Sequence, residues 1–212
     1  MDDLNPFKSF PKPLPLIHIN GDPGVGKLTV ARRLQALLNK YASARLVEMN
    51  RLVNQATAAV IDRAEPGYHD LGQDLRFAVF EALAKNPATH HHAYIFTDSQ
   101  TADLVGAGVC AEYVCAARQR RSDLISVVLS CDEEAHLKRV GAADRVARGG
   151  TLVDASWVKM LREKTRTHRF NKFAAEGGSL ELDVTDITPM EAADRIFRHI
   201  LDVCPEMRMP AA

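Results

Sequence analysis

The chain has 212 residues, 46% of them hydrophobic, and its 27 lysine and arginine residues balance 27 aspartate and glutamate residues. This length favours one domain with a single substantial core. The zero formal charge and the lack of a long basic run argue against nucleic acid as a partner. The sequence contains no run of about eighteen apolar residues, which would predict a membrane span, so we expect no membrane partner. Four cysteines without C-x-x-C or zinc-ligand spacing favour reduced thiols, and we therefore expect a soluble, cytoplasmic protein.

The chain begins with a proline-rich stretch, MDDLNPFKSFPKPLP, in which proline opposes regular structure. We predict a tail over residues 1–15 and one domain over residues 16–212. The domain opens with the apolar strand LIHI, residues 16–19, and a glycine-rich loop follows it directly. After the loop, apolar residues at helical spacing predict an amphipathic helix; they are Leu28, Ala31, Leu34 and Leu38.

The glycine-rich loop, GDPGVGKLT, contains the G-x-x-x-x-G-K pattern of a phosphate-binding P-loop, or Walker A motif. In such a loop backbone N–H groups converge on phosphate oxygens, and the helix behind adds its positive end. A glycine turn can also join a strand to a helix without a ligand, but the lysine and the strand-loop-helix context favour nucleotide binding. We assign the nucleotide to the whole loop: Gly21, Asp22, Pro23, Gly24, Val25, Gly26, Lys27, Leu28 and Thr29.

The residue after Lys27 is Leu28, where a serine or threonine is usual, and the threonine comes one position later. This spacing resembles the loop of the adenylate-kinase-like P-loop kinases, G-x-P-G-x-G-K-G-T. The resemblance implies ATP and Mg²⁺ as cofactors, a catalytic role for Lys27, and contact of Thr29 with the inner phosphate. It also implies that the metal is held largely through water, with Thr29 and Asp98 as its candidate side chains. We predict that Leu28 faces the core side of the helix.

The rest of the chain alternates apolar strands with helical patterns. Strands are predicted over residues 44–49, 93–97, 124–130 and 179–184, and a long helix over residues 71–82. The last helix has its own start signal: Thr188 as N-cap, Pro189 at N1 and Glu191 as capping-box partner. The alternation predicts an α/β domain with the three-layer P-loop NTPase fold, a five-stranded parallel sheet with helices on both faces.

Polar residues that end the second and third strands are candidates for the acceptor side, because ligands bind beyond the carboxyl ends of such strands. Glu48 and Asn50 end the second strand, and Asp98 ends the third. Glu48 or Asp98 could be the catalytic carboxylate that orients an acceptor hydroxyl or takes its proton. Asn50 could bind the substrate. Glu48 could equally be a solvated strand end.

Two of these candidates have structural alternatives. Asp98 with Ser99 could cap a helix that begins near Thr101. Arg76, on an otherwise apolar helix face, could bind the acceptor or its phosphate, or it could pair with Asp74 or be solvated.

An arginine-rich segment with several glycines follows the fourth strand. It resembles the lid of small-molecule and nucleoside-monophosphate kinases, and the resemblance implies a lid near residues 139–155. Arg139 would then contact the nucleotide, and Arg145 and Arg148 would stabilise the transferred phosphoryl group. The alternative is a solvated helical face whose salt-bridge partners are Glu133, Glu134 and Asp144.

The stretches YIFTDSQ, CDEEAHLKR and LELDVTDITPMEAADRI, with the loop, also resemble a group of small P-loop proteins labelled AAA-domain or kinase-like. The sequence therefore predicts an ATP-dependent kinase whose partners are a nucleoside triphosphate and a small-molecule acceptor. An NTPase without a separate acceptor and a nucleotide-binding regulatory module are the alternatives. The sequence does not indicate which acceptor, because acceptor pockets are built from loops that vary on one fold.

Overall fold

The computed structural model describes residues 12–141, 154–170 and 178–208. In these ranges the sheet has five strands, all parallel, in the order β2-β3-β1-β4-β5. The strands are β1 (Leu16–Gly21), β2 (Ala44–Val47), β3 (Ala93–Thr97), β4 (Leu124–Ser130) and β5 (Ser179–Asp183). The predicted fold class is confirmed for the sheet and the helices, while most of the predicted lid, residues 142–153, lies outside the described residues.

The described helices alternate with the strands. They are α1 (Lys27–Leu38), α2 (Met49–Ala58), α3 (Tyr68–Lys85), α4 (Leu104–Arg120), α5 (Glu133–Val140), α6 (Ala155–Lys164) and α7 (Pro189–Val203). Helix α7 begins as predicted: the Thr188 hydroxyl accepts the Glu191 N–H at 3.2 Å, and the Glu191 carboxylate accepts the Thr188 N–H at 2.7 Å. None of the helices in the described ranges is long and apolar enough to cross a membrane.

The sheet separates two hydrophobic cores, because successive side chains of a strand point to opposite faces. On β1, Ile17 and Ile19 join a core with α1 and α7. Leu16 joins the other core, formed with α2, α3 and α4. Strand β1 is buried along its whole length between β3 and β4, so the loop that follows it leaves from the middle of the sheet's carboxyl edge.

The second strand is shorter than predicted, and the helix that follows it was not predicted. Strand β2 ends at Val47, Glu48 lies at the N-cap of α2, and Asn50 lies in the first turn of that helix. The placement of Glu48 and Asn50 at a strand end was therefore wrong. Helix α2 is explained by apolar contact at helical spacing, since its buried residues are Met49, Val53 and Thr57.

The described end of the predicted tail already contacts the domain. The Lys12 ammonium lies 2.6 Å from Asp123 Oδ2, and the Leu14 N–H donates to the His90 carbonyl at 2.9 Å. Residues 12–15 are thus attached at the amino edge of the sheet, whereas residues 1–11 lie outside the described residues.

Candidate functional site: the phosphate loop and two adjoining cavities

The glycine loop needs its glycines for two different reasons. Gly24 and Gly26 have φ of 100° and 111°, in the left-handed region that favours glycine. At Gly21 a Cβ would lie 2.5 Å from the Leu129 carbonyl oxygen, so the backbone of the loop packs directly against β4. At Gly26 a Cβ would meet nothing within 4 Å, which leaves open space where the loop turns into α1.

The Lys27 side chain folds back over the loop. Its ammonium donates to the carbonyl oxygens of Gly21 at 2.6 Å and Asp22 at 2.9 Å. A charge held by two neutral carbonyls at the curve of a glycine loop is well placed to exchange one of them for a phosphate oxygen. The geometry is therefore compatible with the predicted role of Lys27.

The two residues after Lys27 differ in exposure. Helix α1 buries Val30, Ala31, Leu34 and Leu38 against the sheet. Leu28 is only half-buried and is not among them, so the prediction that it faces the core was wrong. With 3.6 residues per turn, Leu28 lies roughly 100° from the middle of that buried face. Thr29 is exposed at the first turn of the helix, where its hydroxyl can reach a ligand.

A histidine that the sequence analysis missed supports the loop from behind. His136 is fully buried, and its Nε2 lies 2.9 Å from the Pro23 carbonyl oxygen. Its Nδ1 lies 3.1 Å from Arg162 Nη1; because arginine only donates, Nδ1 accepts and Nε2 donates. Burial lowers the pKa of His136, outweighing the Pro23 hydrogen bond. The available sequence signal was its i,i+4 spacing to Val140, the other buried residue of α5.

Arg139, predicted to contact the nucleotide, connects the loop to the end of β5. Its guanidinium donates to the carbonyls of Val25 at 3.3 Å, Val184 at 2.5 Å and Thr185 at 3.2 Å. Arg139 therefore lies at the loop, where it supports the backbone. Arg145 and Arg148 lie outside the described residues.

Asp98 follows β3 at the carboxyl edge of the sheet but is enclosed by protein. Its carboxylate accepts the Ser99 N–H at 2.8 Å, Gln100 Nε2 at 2.7 Å and the Tyr113 hydroxyl at 3.1 Å. His18 Nε2 lies 3.8 Å away, within ion-pair distance but beyond a hydrogen bond. Burial by itself would raise the pKa of Asp98, but His18, Ser99 and Gln100 together lower it. The carboxylate is therefore held ionised and faces protein groups.

The structural alternative considered for Asp98, the cap of a helix near Thr101, was wrong. Helix α4 begins at Leu104 and is capped by Asp103, whose Oδ1 accepts the Gly106 N–H at 2.9 Å. Asp98 caps no helix because the residues between it and α4 form a separate connection.

The remaining acceptor candidates are paired with protein groups. Arg76 makes a two-pronged contact with Glu112, from Nε at 2.7 Å and from Nη2 at 3.0 Å. The expected pairing of Arg76 with Asp74, or its exposure to solvent, was wrong, because α3 packs on α4 and brings Glu112 to it. Glu48 lies 3.9 Å from Arg32 and 4.0 Å from Arg51, and its side chain is 27% exposed.

A second missed residue, Asn20, connects the end of β1 to the segment after α6. Its Nδ2 donates to the carbonyls of Gln100 at 2.9 Å and His168 at 3.1 Å, and its Oδ1 accepts the Gln100 N–H at 2.8 Å. Thr101 and Thr167 form an antiparallel bridge beside it. The sequence signal was a polar residue that ends an otherwise buried strand.

Two cavities adjoin the loop on either side of this connection. The first, the loop cavity, has a volume of about 180 Å³ and is lined by Gly21, Asp22, Pro23, Ser99, Gln100, Thr101, Trp157, Leu161 and Thr167. The second, the arginine cavity, has a volume of about 240 Å³ and is lined by Asp22, Val128, Leu129, Ser130, Cys131, Arg162, Thr165, Arg166, Thr167 and Arg169. They share Asp22 and Thr167, and Thr167 Oγ1 donates to Asp22 Oδ1 at 3.2 Å.

These residues fit a triphosphate. The loop offers open space at Gly26, the Lys27 ammonium, the exposed Thr29 and the positive end of α1. Within the described ranges no three histidine, cysteine, aspartate or glutamate side chains cluster for a metal. Mg²⁺ bound mainly by phosphates and water needs no such cluster. Thr29 is open to such an ion, whereas Asp98 is turned toward protein donors.

Comparison with solved structures identifies the fold. A sugar kinase from Janibacter sp. superposes with a TM-score of 0.61 at 15% identity, covering 94% of this chain and 100% of that one. Kti12 from Chaetomium thermophilum, solved with ADP-AlF3, gives 0.56 at 20% identity over 89% and 98% of the two chains. Shikimate kinase from Acinetobacter baumannii, solved with shikimate, gives 0.52 at 20% identity over 90% and 95%.

No protein-family model matches the sequence, and no curated protein matches it. Two of these three structures are kinases by name, and the match to their fold confirms the predicted nucleoside-monophosphate-kinase-like P-loop fold. At these identities the likeness establishes the fold alone.

Proposed function

We propose that the protein is a cytoplasmic kinase that transfers the terminal phosphoryl group of ATP, with magnesium, to a small molecule. The observation that carries this proposal is the loop cavity, in which one side of the phosphate loop and the residues after β3 face a common space. A donor phosphate on the loop and an acceptor hydroxyl in that cavity would be neighbours, which is the arrangement that phosphoryl transfer requires. Kinases among the structural neighbours support the same chemistry.

On the donor side, Lys27 would exchange a loop carbonyl for an outer phosphate oxygen, and the loop N–H groups would bind the remaining oxygens. Thr29 would contact the inner phosphate from the first turn of α1. Magnesium, when bound, would neutralise part of the phosphate charge. Arg139 and His136 would keep the loop in place through Val25 and Pro23.

On the acceptor side, the loop cavity offers Ser99, Gln100 and Thr101 as polar groups and Trp157, which is 40% exposed, as an aromatic wall. Asp98 would act here as a positioning residue, because it holds the Ser99 backbone and the Gln100 amide. Glu48 keeps a partly accessible carboxylate, and Asn50 follows it on α2. Neither lines the loop cavity, so each would contact only an acceptor that extends beyond that cavity. Arg76 would contribute its charge only after exchange of Glu112 for an anionic acceptor group.

The experiment is a thermal-shift screen of small metabolites in the presence of a non-hydrolysable ATP analogue and Mg²⁺. Compounds that raise the melting temperature would then be tested with ATP for ADP release and for a phosphorylated product by ³¹P NMR. We expect at least one compound that gives both. Saturable nucleotide binding with neither product formation nor ADP release would point to a regulatory module, and ADP release that no compound changes would point to an NTPase.

The lid arginines provide a second test of the kinase proposal. We expect Arg145→Ala/Arg148→Ala to lower ADP release by about a thousandfold, the scale for an arginine that stabilises a transferring phosphoryl group. ATP affinity should change little, because charge spreads mainly in the transition state. Arg198→Ala, in an exposed pair with Asp194 on α7, is the matched control. Turnover equal to that of the parent would remove the lid from the mechanism.

A further inference from the structure

The described residues that line the arginine cavity include more basic than acidic side chains. Among these described residues, three are arginines, Arg162, Arg166 and Arg169, and one carries a carboxylate, Asp22. The Asp22 carboxylate already accepts a hydrogen bond from Thr167. Ser130 and Thr165 add hydroxyl groups to the same lining. The lining thus has a net positive charge and several donors.

No carboxylate from the described residues offsets the charges of two of these arginines. Arg162 donates to the Cys131 carbonyl and to His136 Nδ1, both at 3.1 Å and both neutral. The Arg166 backbone is fixed by the hydrogen bond from Ala102 N–H to its carbonyl at 2.7 Å, while its side chain is exposed. In the described part of the chain neither guanidinium has a carboxylate within ion-pair distance.

The third arginine has a partner that it can exchange. Arg169 Nε lies 2.9 Å from Glu181 Oε1, and the two side chains are 49% and 58% exposed. An ion pair this exposed contributes little to stability, so a bound anion can take the place of Glu181. Glu181 lies on β5, at the edge of the sheet.

We propose that the arginine cavity binds an anionic group, a phosphate or a carboxylate, that belongs to the acceptor. This proposal rests on the proposed kinase function of the adjoining loop cavity. The forked guanidinium groups match the oxygens of such an anion. Because Asp22 of the phosphate loop lines both cavities, a molecule with its anionic end among the arginines lies directly against that loop.

The size of the cavity suits a small occupant. Its volume of about 240 Å³ is below the roughly 300–1,000 Å³ of sites that enclose a drug-sized ligand. A single phosphate or carboxylate group with a short carbon chain matches this volume better than a whole nucleotide does. Inorganic phosphate shares this chemistry and is the other possible source of the anion.

The test is calorimetric titration with two probes, inorganic phosphate and glycerol 3-phosphate, on protein saturated with a non-hydrolysable ATP analogue. We expect glycerol 3-phosphate to bind more tightly than phosphate, because its hydroxyls can form hydrogen bonds with the Ser130 and Thr165 hydroxyls of the same lining. Arg166→Ala and Arg169→Ala should each weaken its binding about tenfold, the scale of a lost charge-assisted hydrogen bond. Arg198→Ala on α7 should leave it unchanged.

The Glu181→Gln variant shows whether Arg169 belongs to an anion site or only to a structural ion pair. It frees Arg169 without removing it, so we expect tighter binding of glycerol 3-phosphate, the opposite of Arg169→Ala. Weaker binding in both variants, unchanged binding in both arginine variants, or no binding of either probe would overturn the proposal. Phosphate binding at least as tightly as glycerol 3-phosphate would overturn the assignment to an acceptor.

The same titrations distinguish this proposal from the kinase function. If the ATP analogue does not bind the parent protein, the kinase proposal fails, and the probes are then titrated without it. Arginine-dependent binding of glycerol 3-phosphate in that case still supports the anion site. Normal binding of the analogue with no effect of the arginines overturns the anion site alone.

Discussion

The two edges of the sheet use positive charge in opposite ways. At the amino edge, Arg120 is 1% exposed and donates to the carbonyls of Leu14, Leu83, Thr89 and His92 at 2.6–3.3 Å. At the carboxyl edge, Lys27 also donates to backbone carbonyls, but they belong to Gly21 and Asp22, which line the loop cavity. A charged side chain enclosed by fixed carbonyls stabilises the fold. A charged side chain beside open space can exchange a carbonyl partner for a ligand oxygen.

Loss of the enclosed charge is the largest effect we expect. Arg120→Ala should lower the free energy of unfolding by about 3–5 kcal/mol, because several buried carbonyls lose their donor. Urea denaturation measures this change directly. Arg118→Ala, on the exposed side of the same helix, should change the free energy of unfolding by less than about 0.5 kcal/mol. Equal effects of the two variants would remove the contrast between the edges.

Variants in the first turn of α1 test the carboxyl edge in more detail. Thr29→Ala should weaken binding of an ATP analogue by about 0.5–1.5 kcal/mol, the net value of one hydrogen bond, and Thr29→Ser should restore it. Leu28→Ser should give no gain in affinity, since Leu28 is half-buried and does not face the phosphate site in the implied arrangement. Calorimetry on the three variants tests this; a gain from Leu28→Ser would mean that the hydroxyl position has been misassigned.

The smallest effect that we expect is a pH dependence of the free energy of unfolding, caused by His136, which supports the loop from the core. Its pKa is lowered in the folded state by burial, with the Pro23 carbonyl and Asp22 opposing and Arg162 and Lys27 adding to the decrease. The unfolded chain therefore binds a proton that the folded chain does not, and stability falls as the pH drops below about 6.5. Above that value the contribution is complete.

The measurement is the free energy of unfolding of the parent and of His136→Gln between pH 7 and pH 5. The glutamine keeps an N–H donor for Pro23 but does not titrate, so its stability should fall less across this range. His92, His168 and His199 have lowered pKa values as well, and the comparison of the two proteins subtracts their contribution. Identical pH profiles would show that His136 is not the titrating group.

The contrast between the edges also explains what the sequence could predict. The phosphate loop is built from consecutive residues, so Gly26 and Lys27 could be placed from local spacing alone, and the capping box of α7 is equally local. The partner of Arg76 depends on how α3 packs against α4, which no local pattern encodes.

Buried polar residues were the hardest to predict. Three arginines lie within four positions at the end of α4, and nothing local distinguishes Arg120, which is buried, from Arg118 and Arg121, which are exposed. Asp98 was correctly placed at the end of β3, but its enclosure depends on Tyr113 of α4 and His18 of β1, which arrive from other parts of the chain. Their contacts become evident only once the elements are assembled.

The central claim is that the glycine loop binds the phosphates of ATP through Lys27. The most direct measurement is calorimetric titration of the parent and of Lys27→Ala with a non-hydrolysable ATP analogue and Mg²⁺, with the exposed Lys40→Ala as control. We expect saturable binding at one site in the parent and in Lys40→Ala. In Lys27→Ala the affinity should fall roughly tenfold to a hundredfold at an unchanged melting temperature. Equal affinity in Lys27→Ala and the parent would contradict the claim.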